Sequence, residues 1–230
     1  MKLLSKAWVA VGASLIFFGV SMSAPAQGFV NLGFEGAGLL VTPTPPGQFG
    51  TQVDPNFAFN GWGITNALGP GHYPLFSLYN NLTIGSSAVV LIGPQFPNAL
   101  SLTPLQGSYS VMLQGFPGTN VVGLPAIFQN GVVPADARSI NFLLSQGNPR
   151  VTFAGVEIPL VPMEGGRVAG DIAAFAGQEV QMMLSPHAGA HNFVYFDDVQ
   201  FSAQAVPEPS AYALSMLALV AVTLFRKRRE

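Results

Sequence analysis

Glycine and proline interrupt this chain so often that no long helix fits between them. The 230 residues include 26 glycines and 19 prolines. Proline removes a helical donor and clashes with the preceding turn, and interior glycine loosens a helix. The apolar runs between these breaks are short and rich in β-branched and aromatic residues, the pattern of strands joined by turns. Strands are expected at 29–34, 88–91, 109–114, 126–129, 139–144, 150–153, 156–160, 167–171, 179–185 and 194–202. This spacing predicts an all-β fold, an antiparallel sandwich or barrel. A short helical turn fits 172–176. The stretches 42–60 and 69–81 read as long irregular loops, which often carry function and are otherwise surface insertions.

The two ends carry a different message. Lys2 and Lys6 precede an apolar run at 7–20, and Ala24-Pro25-Ala26 forms a small-residue cleavage site before Gln27. Residues 1–26 therefore read as a secretory signal peptide, implying the Sec translocon and signal peptidase as partners. At the other end, residues 206–230 hold Pro207-Glu208-Pro209, an uncharged and mostly apolar run at 211–225, and then Arg226, Lys227, Arg228 and Arg229. A helix over that run is about 22 Å long, short for a hydrocarbon core of about 30 Å, but arginine and lysine stems snorkel. The cations favour the cytoplasmic side, which puts the body of the protein across the membrane.

Without these ends the charge changes character. Between Gln27 and Ala205 the cations are Arg138, Arg150 and Arg167, with no lysine, against nine acids, a net of −6. Such a body has no basic footprint for nucleic acid. The chain has no cysteine, which removes thiol catalysis and thiolate metal sites. The span 27–205 is sized for one domain.

The tail from Val206 through Pro207, Glu208 and Pro209 to Arg229 resembles the PEP-CTERM sorting signal of Gram-negative bacteria. The resemblance implies recognition by an exosortase, inner-membrane anchoring before processing, and then a place at the cell surface or in an extracellular polysaccharide matrix. The alternative is an ordinary C-terminal membrane anchor, which leaves Pro-Glu-Pro without a role.

Within the body, five pieces stand in order: Asn31-Leu32-Gly33-Phe34-Glu35; Gly61-Trp62; Gly107-Ser108-Tyr109-Ser110; a run from Asp171 through Phe175 to Gln178; and Phe196-Asp197-Asp198-Val199-Gln200-Phe201. Together they resemble the galactose-binding-like jelly roll of many carbohydrate-binding modules. The resemblance implies first and last strands close together, and a structural calcium held by Glu35 with Asp197 or Asp198. A hard cation suits carboxylate and carbonyl oxygens. On a regular strand the two aspartates point to opposite faces, so only one can meet Glu35. The alternative is that these carboxylates accept backbone donors. For a sugar, exposed aromatics are the usual platform; the candidates are Trp62, Tyr73, Phe76 and Tyr79, with Trp62 also suited to a core position.

Other constellations are weaker. His187 and His191 are spaced as on a zinc-binding helix, but Pro186 and Gly189 argue for a loop and the accompanying glutamate is missing. No nucleophile elbow, phosphate loop or dinucleotide fingerprint is present. The expectation is a non-catalytic exported protein that contacts polysaccharide through the sandwich. The alternatives are a purely structural or adhesive surface protein and, less favoured, a polysaccharide hydrolase.

Overall fold

The computed structural model describes residues 28–42, 51–66, 75–82, 86–94, 102–115, 124–187 and 193–206. The signal-peptide segment, the tail from Pro207 onward, Tyr73 and His191 lie outside the described residues. Among the described residues no helix is long and apolar enough to cross a membrane.

Among the described residues, twelve strands form two facing sheets, as an all-β sandwich requires. In chain order they are β1 (Gly63–Asn66), β2 (Leu75–Tyr79), β3 (Ser87–Ile92), β4 (Ser110–Gln114), β5 (Pro125–Val132), β6 (Ser139–Gln146), β7 (Pro149–Phe153), β8 (Val156–Ile158), β9 (Leu160–Pro162), β10 (Arg167–Asp171), β11 (Glu179–Pro186) and β12 (Phe193–Ser202). One sheet runs β1-β5-β11-β7-β8 and the other β2-β3-β4-β12-β6-β10-β9. Every pairing is antiparallel except β2 with β3. A four-residue helix α1 (Pro55–Ala58) and short 3-10 turns at Glu164–Gly166 and Ala173–Phe175 complete the described elements.

Period-two alternation explains most of the core. Val180, Met182 and Leu184 of β11 face inward while Glu179 and Gln181 face water. Ile140 and Phe142 of β6 meet Val151 and Phe153 of β7 and Val194 and Phe196 of β12 in the main core. Phe142 packs edge-on to Phe196 at 5.9 Å between ring centres, and Phe196 packs edge-on to Phe34 at 5.8 Å. β3 breaks the alternation because every residue from Ser87 to Ile92 is buried. Its inner face, Val89 and Leu91, joins the main core. Its outer face, Ala88, Val90 and Ile92, joins a second cluster with Leu78, Leu102, Met112 and Tyr195. The segment around Leu102 and Leu105 thus lies over one half of the outer face of the seven-stranded sheet.

The strand expected at 29–34 is instead a pair of turns. Asn31 and Phe34 both take positive φ, +49° and +59°, where a strand cannot continue. Asn31 organises the turns: its side chain accepts from Gly36 N at 2.8 Å and donates to Asn60 O at 2.8 Å, while its carbonyl accepts from the Trp62 indole at 3.0 Å. Phe34 is thereby driven fully into the core. These turns still lie against the last strand, since Val199 N donates to Leu32 O and Phe29 packs 5.2 Å from Phe201, but as turns they do not make the expected approach of a first strand to the last. β1 and β2 lie where no strand was predicted, β2 inside the stretch read as an irregular loop. α1 occupies the other such stretch, capped by Asp54, whose Oδ1 accepts from Asn56 N at 2.9 Å.

Phe196 touches both Phe34 and Phe142, so its loss opens a cavity that rigid neighbours fill poorly. Phe196→Ala should cost about 3–5 kcal/mol in urea unfolding. A cost below about 1 kcal/mol would contradict the packing described.

Candidate functional site

The geometry of the site begins with a register fault in β12. Phe196 and Val199 both sit in the main core although they are three positions apart, an odd spacing, so one residue is extra. The pairing with β6 slips between Asp197 and Gln200, and Asp198 takes φ +49°. This is a β-bulge, and it re-aims both aspartates. Strict alternation puts Asp197 on one face with Tyr195, Val199 and Phe201. The bulge keeps Asp197 beside Tyr195 but returns Val199 and Phe201 to the core face.

Asp197 ends up fully buried. Its Oδ2 accepts from Ser110 Oγ at 2.7 Å and from Gln106 N at 2.9 Å, and its Oδ1 accepts from Asp198 N at 2.6 Å. Ser110 Oγ in turn accepts from Leu105 N at 2.7 Å. Burial pushes the Asp197 carboxyl up to about 6, against the pull of these donors, and the nearby Asp198 charge adds to the rise. Beside it, Tyr195 donates to Thr103 O, and burial raises its phenol to about 12.

Glu35 grips the same loop from the other side. Its Oε1 accepts from Ser108 N at 2.9 Å and Tyr109 N at 3.2 Å. Gly107 makes the approach feasible: it sits at φ +58°, and a Cβ there would lie 2.3 Å from Glu35 Oε1. Glu35 and Asp197 are therefore brought to one loop, as the sequence motifs suggested. They do not fit the calcium site expected from the resemblance, because N–H and O–H donors occupy the oxygens that a hard cation would need. Among the described residues no group of three or more acidic or histidine side chains gathers around a common point.

Asp198 leads outward to the second part of the site. Its Oδ2 accepts from Arg167 Nη1 at 2.8 Å and from Gln200 Nε2 at 2.7 Å, and its carbonyl accepts from Arg167 Nη2 at 2.7 Å. Hydrogen bonding orients the Gln106 amide with its nitrogen toward Asp198, 2.9 Å from Oδ2. Arg167 Nε donates to Asn141 Oδ1 at 2.7 Å. Register puts Gln200, Asn141 and Ala169 in one outward row across β12, β6 and β10, with Ser202 and Ser139 in the next.

Among the described residues, this half of the outer face carries no covering segment like that at 102–105. It forms a trough of about 610 Å³, floored by Ser139, Asn141, Arg167 and Ala169. Met163 and Glu164 form one wall and Ser202–Val206 the other, the latter held by Ser139 Oγ donating to Gln204 O at 2.8 Å. The lining mixes polar side chains (Ser139, Asn141, Ser202, Gln204) with apolar ones (Pro162, Met163, Ala169, Ala205, Val206), the apolar area being the larger; it carries the acid Glu164, and its one cation, Arg167, is paired with Asp198.

The aromatic candidates lie elsewhere. Trp62 is 5% exposed and stacks 5.5 Å from Phe34, so it is a core residue and not a sugar platform. Tyr79 is partly buried against the main core, and burial raises its phenol. His187 lies 3.5 Å from Glu157, which also accepts from Arg150 Nε at 2.8 Å. Sequence reasoning counted Arg167 but gave it no role. Its signal was compositional, one of three arginines in a lysine-free body.

No family model matches the chain, and no curated protein matches it. Among solved structures it is similar to the enzymatically active domain of tailspike protein 4 of bacteriophage CBA120. The identity is 11% and the TM-score 0.35, over 62% of this chain and 19% of that one. A likeness at that level carries no argument about fold or activity.

Two outcomes follow from this geometry. The folded Asp197 pKa, about 6, lies above the ordinary 3.8. The folded state thus holds a proton that the unfolded state has released, and the resulting stability is complete below about pH 4 and lost as pH rises through about 6. Wild-type melting temperature should fall between pH 4 and 7 relative to Asp197→Asn; parallel curves would refute the assignment. Gly107→Ala should destabilise by at least about 1–2 kcal/mol from the left-handed backbone alone, measured by denaturant unfolding.

Proposed function

We propose that this is an exported, non-catalytic surface or matrix protein whose jelly-roll sandwich contacts polysaccharide through the trough on β12, β6 and β10. The observation that carries the binding reading is the composition of that trough. Asn141, Ser202 and, at the rim, Gln204 place polar groups beside the apolar surfaces of Pro162, Met163 and Val206, a mixture that matches the hydroxyls and C–H faces of a sugar, and Arg167 is already neutralised by Asp198. Neutral hydroxylated ligands suit such a lining better than ions do.

Delivery rests on the sequence of the ends. In this reading Sec and signal peptidase act at residues 1–26. The membrane holds the chain through residues 211–225 until an exosortase acts at Pro207-Glu208-Pro209. Among the described residues, the C-terminal end of the domain is held by Ser139 Oγ donating to Gln204 O, just ahead of that motif. The rival reading is a structural or adhesive protein with no specific glycan.

Mass spectrometry of the mature protein from a host carrying an exosortase tests delivery. The expected N-terminus is Gln27, and the expected C-terminus lacks Arg226–Arg229. An intact basic end would favour a plain membrane anchor. A glycan array tests binding. A specific polysaccharide signal is expected, about 5–10-fold weaker in Asn141→Ala, the scale of one lost hydrogen bond. It should change little between low and high salt, because neutral glycans release no counterions. No glycan signal from the wild type would favour the structural reading.

A further inference from the structure

The seven-stranded sheet does not stop at β2. Residues 51–53 continue it: Gln52 bridges to Leu78, Val53 N donates to Ser77 O at 3.0 Å, and Tyr79 N donates to Thr51 O at 3.0 Å. Residues 38–42 then run antiparallel to 52–57. Val41 bridges to Val53, Thr42 N donates to Gln52 O at 3.0 Å, Asp54 N to Leu40 O at 2.9 Å, and Gly38 N to Phe57 O at 2.8 Å. Among the described residues, 38–42 is the outermost extended piece on this side of the sheet.

Its unused backbone groups follow from alternation. Gly38, Leu40 and Thr42 turn their peptide groups inward to 52–57, so Leu39 and Val41 turn theirs outward. Among the described residues nothing bonds the N–H or C=O of Leu39 or Val41. The side chains are apolar and open to water on both faces: Leu39 is 44% exposed, Leu40 48% and Val41 60%, and the exposed Phe57 lies against Gly38. Sheet edges are normally blunted by charge, by proline or by brevity. β8 and β9 follow that rule, each being three residues long, one carrying Glu157 and the other ending in Pro162. The edge at 38–42 carries neither charge nor proline.

Charge and register say what covers it. Residues 36–53 hold no charged side chain, in a body of net −6 between Gln27 and Ala205. This is therefore a place where two acidic bodies meet with little repulsion. Antiparallel pairing of the edge with itself, about a two-fold axis at Leu40, sets Leu39 opposite Val41 of the second copy. Each such pair exchanges two N–H···O bonds, which uses every outward group of Leu39 and Val41 on both copies. Leu40 then meets its own counterpart in a pair without hydrogen bonds, where side chains come closest.

We infer that two copies of this chain pair edge to edge through residues 38–42, joining their seven-stranded sheets into one. The inference does not depend on the polysaccharide reading. The interface is small, so the dimer is weak and reversible. Its two-fold axis runs perpendicular to the joined sheet, so both troughs open on the same side, and one dimer offers a polymer two points of contact.

The experiment uses the full-length chain in detergent, followed by sedimentation velocity over a range of protein concentrations. The wild type should pass from monomer to dimer as concentration rises, and added salt should raise the dimer fraction by screening the two acidic bodies. Val41→Pro removes only an outward N–H, so its melting temperature should match the wild type's while dimerisation weakens about 10-fold or more, the scale of two lost bonds. The chain has no cysteine, so Leu40→Cys gives a clean second readout. Facing Cα atoms about 4.5 Å apart accept a disulfide, and mild oxidation should link Leu40→Cys into dimers but leave Val156→Cys, on the edge strand β8, as monomers. If Val41→Pro does not fold, the cysteine pair decides alone. A wild type that stays monomeric at every concentration overturns the inference. So does a dimer undiminished in folded Val41→Pro, which places the contact in the tail or elsewhere, or a Val156→Cys crosslink as efficient as that of Leu40→Cys.

Discussion

The buried carboxylate of Asp197 is the fixed point around which the outer surface is arranged. A carboxylate without solvent is costly, and the chain meets the cost with three donors from two separate segments. Those donors lock the loop at 105–110 onto β12. Leu102 and Leu105 then lie on the outer face of β2, β3 and β4, which lets β3 be apolar on both sides. Glu35 ties the same loop to the start of the chain. One hydrogen-bonded group therefore links three regions that are remote in sequence.

The bulge that positions Asp197 also decides where the surface stays open. By adding one residue, it places Asp198 where Arg167 and Gln200 can reach it, and the pair fixes Arg167 over β6 and β10. Beyond that point the strand faces themselves turn small or polar at Ser139, Asn141, Ala169 and Ser202, and among the described residues no segment covers them. The covered half and the open half of one sheet thus follow from a change of composition along β6 and β10, and Arg167 marks the boundary.

The strands with one wet face were legible in the sequence. β11 announces itself by alternation, and β10 falls on the predicted residues. The turns at Asn31–Phe34 were not, because an apolar Phe in a left-handed conformation is set by the core it fills and by Asn31's side-chain bonds. β2 was hidden among glycines and prolines, and its place comes from pairing with β3 rather than from its own pattern. The motif residues Glu35 and Asp197 meet at one loop, where they accept N–H and O–H donors. Carboxylates flanking a glycine loop serve equally to hold a metal or to hold N–H groups, and only the direction of the donors separates the two. The bulge did leave a trace, since Phe196 and Val199 are both apolar at an odd separation within a strand. Trp62 shows the reverse case: its size suits a platform or a core, and the contact with Phe34 decides.

Charge is the second constraint on this surface. Between Gln27 and Ala205 nine acids face three arginines and no lysine, a net of −6. Two of those arginines are held by acids of the sandwich itself, Arg150 by Glu157 and Arg167 by Asp198. The excess negative charge therefore has no internal countercharge, and it repels an anionic partner over a range that salt shortens. A neutral partner meets no such barrier, and its contacts depend on shape and hydrogen-bond pattern, which salt barely screens.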